Sequence, residues 1–359
     1  MTDKASVLTR ENSLILRGVA ILFIMLHNFL HVDMLGFTGD NEMSFSIENA
    51  LGFFNAISNG KSILAESLSH LGWIGVPVFV FLTGYGVALT PLSSYETKAI
   101  DYIKRHYLKL LALMLPAVVF FAGVDILKGN VWPGLLKRFS YLTMLTNFAY
   151  PYIKCSPGVY WYFGLTFQFY LLWAICGKRM NGKNLLIWSV VLLFALFAFC
   201  AYAPSDARFI FRVCFTGWFP VFAIGVWIGK RNNEDDLKPK SIWLELMLCV
   251  ALLGLILLAS KWMITWIFIP IVALGWFIVI GLLLMRTRYL SEVFRWMGKY
   301  SACIFVCHPI ARTIVFNTIY HHCSNLLGIV LAYLVLSIII ALLYNIVYQW
   351  FLEKKGLRI

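Results

Sequence analysis

Residues 14–33 read LILRGVAILFIMLHNFLHVD. No proline breaks the run, and its apolar content suits hydrocarbon, yet it keeps Arg17, His27 and His31. An arginine at the middle of a bilayer costs about 2.5–3.5 kcal/mol on insertion scales. A helix that retains such groups at that cost has a use for them, and the rest of the chain says what kind.

Over the 359 residues, 61% are hydrophobic and 13% charged, and the mean hydropathy is +0.79. A soluble domain is nearer half apolar and a quarter charged. The apolar runs are about 20 residues long rather than alternating segments of about ten, so the fold class is all-α: a polytopic membrane helix bundle rather than a β-barrel. The net charge of +13 does not point to nucleic acid, because the cations sit in short clusters between apolar runs, as cytoplasmic loops do. No cleaved signal peptide is expected, since residues 1–13 are polar and the first apolar run is too long for an h-region. Of eight cysteines, most lie inside apolar runs and read as small hydrophobes. No CxxC pairs with a second one, and no metal is expected. Cys155 and Cys323 fall in segments expected outside, where a pairing is open to them.

Ten spans are expected, over about 14–34, 71–92, 106–127, 158–177, 184–203, 209–229, 242–260, 263–285, 300–320 and 325–351. Of the thirty Lys and Arg, nineteen fall in segments on the side of the N-terminus, seven on the other, and four (Arg17, Lys109, Arg212, Arg312) within spans. Positive charge stays in the cytoplasm, so both termini are expected there. Residues 35–70 and 128–157 form long external segments, the first polar and carrying Asp40, Glu42, Glu48 and Glu66. In the second, FSYLTMLTNFAY (139–150) is too short to span and is expected at the interface or re-entrant. Residues 1–359 read as one integral membrane domain.

Polar residues in the spans fall into groups by depth. His27 lies ten residues from Arg17, roughly 15 Å along the axis, near mid-membrane. Span three opens as YIKRHYLKL, which sets Arg105, His106 and Lys109 at the inner face. Span nine rises as GKYSACIFVCHPIAR, with His308 at mid-depth, and span four descends from outside as WYFGLTFQFYLLW, with Gln168 and Tyr170 near mid-depth. Two mid-depth histidines above an inner belt of cations fit a site that takes an anionic ligand from the cytoplasm. Taken singly, each has a plainer reading: a basic residue at a helix end snorkels, and a buried histidine bonds a neighbouring helix. LTGYG reads first as close helix packing. His31, His70, His321 and His322 are expected to be solvated, and most of the tryptophans to form interface belts.

In order along the chain, these segments resemble the acyltransferase-3 family, bacterial integral membrane enzymes that O-acylate cell-surface carbohydrates and lipids. LRGVAILFIMLHNF resembles the opening arginine-to-histidine helix, and GWIGVPVFVFLTGYGVAL the Gly-Val-aromatic-Phe-Ser-Gly-Phe segment, with Thr83 for the serine. YIKRHYLKLLALMLP resembles the basic segment that follows. WYFGLTFQFYLLW resembles the tryptophan-to-Gln-Phe-Tyr segment, and MGKYSACIFVCHPI the late Gly-Lys-x-Ser…His-Pro segment. Ten spans are also what the family has.

The resemblance implies a multi-pass protein of the bacterial cytoplasmic membrane that takes an acyl group, most often acetyl, from cytoplasmic acyl-coenzyme A. The acceptor it implies is a hydroxyl of an envelope carbohydrate or lipid-linked glycan. Arg17, His27 and His308 would be catalytic. Arg105, His106 and Lys109 would bind the coenzyme's phosphates, while Asn28, Gln168 and Tyr170 would face the substrate. No tightly bound cofactor is implied.

Three departures stand out. The family histidine usually follows its arginine by eleven residues, where this chain has Asn28. At 100° per residue Asn28 lies about 20° from Arg17 around the helix, His31 about 40° to the other side and His27 about 80°, so the choice between His27 and His31 stays open. His106 and Lys109 stand where arginines are common, and Thr166 and Phe167 where acidic residues are. The alternative reading is a transporter or flippase of an envelope precursor, which would carry a two-half repeat.

Overall fold

The computed structural model describes residues 8–89, 99–148, 158–231, 241–323 and 325–356. Among them every regular element is a helix, and there is no strand. Among the described residues nine helical stretches are long and apolar enough to cross a bilayer: Arg10–Leu30, Ile63–Leu89, Ala99–Leu127, Gly158–Cys176, Gly182–Tyr202, Ser205–Lys230, Ile242–Ala259, Arg288–His322 and Leu326–Lys354. Ile269–Met285, with 17 residues, is shorter. Each of the ten expected spans therefore coincides with an apolar helix. The largest shifts are at the ninth, whose helix begins at Arg288 and not near residue 300, and at the second, which begins at Ile63 and not near residue 71. The Cys155 side of the possible disulfide lies outside the described residues, as does the end of FSYLTMLTNFAY.

The chain divides into two units, one of Met1–Pro91 with Cys176–Lys299 and the other of Leu92–Ile175 with Tyr300–Ile359. In the first, α1 (Arg10–Leu30) is started by Thr9, whose hydroxyl accepts from the Asn12 N–H at 3.1 Å. After a 3-10 turn (Asp33–Leu35) come α2 (Ile47–Ser58) and α3 (Ile63–Leu71), each capped by a serine, Ser46 and Ser62. So residues 35–70 are not the open polar loop expected from their composition. A 3-10 turn over Gly72–Gly75 then joins α3 to α4 (Val76–Leu89).

Within this first unit α1 packs on α3, on the Gly72–Gly75 turn, on α4 and on the Ile269–Met285 helix. Helix α4 lies along the Phe215–Lys230 helix, and glycine permits that approach. A Cβ on Gly84 would overlap the carbonyl oxygen of Phe222, and one on Gly225 that of Phe81. LTGYG is thus a packing surface, as its plainer reading held. By contrast Trp188, Phe194, Trp243, Val250 and Leu258 of the Gly182–Tyr202 and Ile242–Ala259 helices are exposed. Helices this apolar with bare outer faces are lipid-facing. Glu245 and Arg286 pair at 2.8 Å with the glutamate buried.

In the second unit α5 (Ala99–Leu127) is followed by α6 (Val131–Leu142), α7 (Trp161–Cys176) and, from Tyr300 onward, the rest of a long helix (Arg288–Thr318) and the helix Leu326–Lys354. Helix α6 has 12 residues and does not cross. Its Trp132, Leu136 and Phe139 are exposed, and its buried Arg138 pairs with Asp125 of α5 at 2.7 Å. The phenols of Tyr160, Tyr107 and Tyr344 donate to the carbonyls of Val306 (2.7 Å), Leu142 (2.8 Å) and Ala112 (2.5 Å). Each satisfies an O–H that burial would otherwise penalise.

Candidate functional site

The end of α1 explains where His27 lies. The helix stops at Leu30, so His27 sits in its last turn rather than at the mid-depth expected of a span over 14–34. That is about seven residues, roughly 10 Å, past the helix midpoint. It is nevertheless 1% exposed, because the α3 end and the loop before α2 fold over it. Gly72 lets this happen: a Cβ there would come within 2.5 Å of the His27 Cβ.

Two carbonyl oxygens meet His27 Nδ1, Ser69 O at 2.8 Å and Leu68 O at 3.3 Å. Carbonyls only accept, so Nδ1 carries the proton and Nε2 presents its lone pair. Nε2 is buried and makes no hydrogen bond. It faces two carboxylates, Asp40 Oδ2 and Glu42 Oε2, each at 3.9 Å. On the other side the ring of His31 stacks on that of His27, 4.6 Å between centroids and 16° between planes, and His31 Nδ1 donates to the His27 carbonyl at 2.8 Å.

The loop that carries the carboxylates is pinned throughout. Thr38 N–H donates to Glu66 Oε2 (3.0 Å), and Ser69 Oγ to the Thr38 carbonyl (2.8 Å). His70 Nδ1 donates to the Gly39 carbonyl (2.7 Å), and Asn49 Nδ2 to that of Asp40 (2.7 Å). Glu42 N–H donates to Asp40 Oδ1 (2.7 Å), which orients that carboxylate. Burial by itself raises the Asp40 pKa, but His27 and His31 beside it bring it below the usual carboxylate range. Glu42, mostly withdrawn from solvent and next to the charge on Asp40, is pushed up to about 8.

Beneath the loop lies Arg212, 1% exposed. Its Nε donates to the Glu42 carbonyl (3.1 Å) and its Nη1 to that of Gly217 (3.3 Å). The guanidinium is walled by the indoles of Trp218, Trp266 and Trp73, at 4.4, 4.7 and 5.6 Å from the ring centroids. Trp266 in turn donates to the Asn41 carbonyl at 2.8 Å. These three tryptophans are core residues, outside the interface belt expected of most tryptophans in the chain.

The remaining sequence-derived residues are distributed as follows. Arg17 is half-buried, ten residues back along α1. Asn28 is buried and donates from Nδ2 to the Ile24 carbonyl of its own helix at 2.9 Å. In the second unit His106 lies between Tyr102 and Tyr170, with ring centroids 4.1 and 4.2 Å away, and its Nδ1 donates to the Tyr102 carbonyl at 2.9 Å. Arg105 and Lys109 flank it on α5, and an Arg105 guanidinium nitrogen reaches the Gly356 carbonyl at 3.4 Å. Gln168 is buried on α7, two residues from Tyr170. His308 is fully buried, with Nδ1 toward the Ile304 carbonyl (3.3 Å) and no hydrogen bond at Nε2.

His70 corrects an expectation. It is not solvated but 0% exposed, stacked on Phe53 at 4.7 Å and bonded to Gly39, because α3 turns inward ahead of the second span. His321 and His322 are exposed, as expected. Sequence reasoning placed Asp40 and Glu42 in a loop without linking them to His27, and passed over Arg212. The available signal was an acidic first external segment. No helical or strand period connects residues 40 and 42 with residue 27.

Neither a curated protein nor a solved structure matches the chain. The family model described as an acyltransferase domain matches residues 14–346, which covers the buried histidine of α1, the loop over it, the basic face of α5 and His308. The chain therefore belongs to the acyltransferase-3 family and is a multi-pass membrane acyltransferase.

Proposed function

We propose that this protein takes an acyl group, an acetyl, from cytoplasmic acyl-coenzyme A and transfers it to a hydroxyl of an envelope carbohydrate or lipid-linked glycan in the bacterial cytoplasmic membrane. The observation that carries the reading is His27. Its Nδ1 proton is committed to Ser69 O, and its Nε2 lone pair is buried without a hydrogen bond and faces Asp40 and Glu42. A base in that setting removes a hydroxyl proton within a hydrogen-bond reach of about 3 Å as the oxygen attacks the thioester carbonyl. The carbonyl carbon–sulfur bond breaks, the thiolate leaves, and the proton held at Nε2 returns to the sulfur. Asp40, 3.9 Å away, stabilises the imidazolium that forms in between.

Arg17 holds the donor or a partner carboxylate. Arg105, His106 and Lys109 take the coenzyme's phosphates as charge-assisted hydrogen-bond donors. The close, tilted ring contacts of His106 with Tyr102 and Tyr170 support this reading by keeping His106 oriented between the two cations. Asn28, Gln168 and Tyr170 orient the substrates, and His308 assists the proton transfer or orients the acyl group.

The test incubates the purified protein with labelled acetyl-coenzyme A and a cell-envelope extract, beside the His27→Ala variant. Label in a glycan or lipid fraction with the parent only supports the reading. Label in neither removes acetyl-coenzyme A, an envelope hydroxyl or both from it.

A further inference from the structure

We propose that His27, His31 and Asp40, with Glu42 as a fourth donor, form a site for a divalent transition-metal ion of the zinc class, and that an ion bound there stops acyl transfer by occupying His27 Nε2. The blocking half rests on the reading of His27 as the base; the binding half stands on geometry alone.

Ligand atoms of His27, His31 and Asp40 all lie within 4.8 Å of one another, and Glu42 Oε2 is 3.9 Å from His27 Nε2. Both imidazoles are set up as neutral ligands. Each commits Nδ1–H to a carbonyl, Ser69 O for His27 and His27 O for His31, which leaves each Nε2 as a lone-pair donor. Carbonyls behind metal-bound histidines fix ring and tautomer in the same way. Asp40 is oriented through Oδ1 by the Glu42 N–H, with Oδ2 turned to His27. The second observation is His27 Nε2 itself: buried, without a hydrogen bond, and aimed into the cluster.

A tetrahedral ion about 2.0–2.1 Å from each donor holds neighbouring donors roughly 3.3–3.4 Å apart. The pairs at 3.9 Å then close by about half an ångström as the ion enters, and any pair as wide as the 4.8 Å limit of the cluster by roughly 1.4 Å. Two imidazoles with carboxylates favour zinc, nickel or copper over magnesium or calcium, which prefer oxygen throughout. The double positive charge also offsets the two carboxylates packed against each other. The Asp40 and Glu42 side chains keep 19% and 14% of their surface exposed, and this gives an ion a way in.

The probe is cobalt(II), titrated into the full-length, chelator-treated protein in detergent, followed by zinc. The expected result is a saturable visible absorption band at one ion per chain, displaced by zinc, with affinity at least tenfold lower in Asp40→Asn and in His31→Phe, which retains the stacked ring. Zinc at displacing concentrations should abolish transfer by the parent, and whatever transfer His31→Phe retains should be insensitive to it. No saturable band, or variants that bind as the parent does, overturns the metal site and leaves the acyl-transfer reading standing. Cobalt and zinc bound at saturation with transfer undiminished overturns the blocking step, and with it the role of His27 as base.

Discussion

Replacing Arg212 by methionine keeps a long apolar stem under the His27 loop and removes the cation. In the parent the guanidinium donates to the carbonyls of Glu42 (3.1 Å) and Gly217 (3.3 Å) and is faced by three indoles. Contacts to Trp218 and Trp266 at 4.4 and 4.7 Å contribute about 2 kcal/mol each when desolvated, and this roughly offsets the cost of burying the charge. What methionine then loses is two hydrogen bonds from a charged donor, about 1.5–3 kcal/mol each. With part of that recovered by relaxation, the expected loss is about 2–4 kcal/mol. It falls first on Asp40–Glu42, so transfer should drop further than global stability. Arg212→Lys should lie between, since a point ammonium cannot span both carbonyls as the fork does. Thermal unfolding in detergent and acyl transfer by the same preparations measure the two effects. Arg212→Met with parental melting and parental transfer would refute the view that this cation organises the loop over His27.

Arg105→Ala and Lys109→Ala should each weaken acyl-coenzyme A binding about tenfold, the equivalent of one lost charge-assisted hydrogen bond; titrations that match the parent would return both to helix anchoring. Gly84→Val should destabilise the first unit by about 1–3 kcal/mol, because its side chain meets the Phe222 carbonyl, while Gly86→Ala, with no atom near its new Cβ, should leave melting unchanged or slightly raised. Reporter fusions at residues 181 and 287 should sit in the cytoplasm and one at residue 60 outside, as the distribution of Lys and Arg requires; an external reporter at 181 would break the span count.

Most of the fold was legible because bilayer thickness sets a length that sequence displays directly. Ten apolar runs gave ten helices, and the misplaced boundary at Ile63 came from polar Glu66, Ser69 and His70. Those three read as loop residues, yet all are buried in α3, where Thr38 and Gly39 bond Glu66 Oε2, Ser69 Oγ and His70 Nδ1, and Lys61 lies 3.6 Å from Glu66 Oε1. A polar residue at a span end is loop or core according to what folds over it, and composition is silent on that. The site was half legible for the same reason. His27 stood out as a costly residue in an apolar helix. Its neighbours Asp40 and Glu42 looked ordinary in a polar segment, and only the hydrogen bonds that pin that segment to α3 and Arg212 bring them to Nε2. Likewise the depth of His27 followed from where α1 stops, a boundary that hydropathy blurs by several residues.

The central claim is that the buried Nε2 of His27 is the base for acyl transfer. It is tested most directly by the rate of labelled acetyl transfer in membranes containing equal amounts of the parent, His27→Ala or His31→Ala. Loss of a general base costs about 10²–10⁴-fold, so His27→Ala should fall at least a hundredfold while His31→Ala stays within a few-fold of the parent. A dead His31→Ala beside an active His27→Ala would contradict the account and move the base one helical turn along α1.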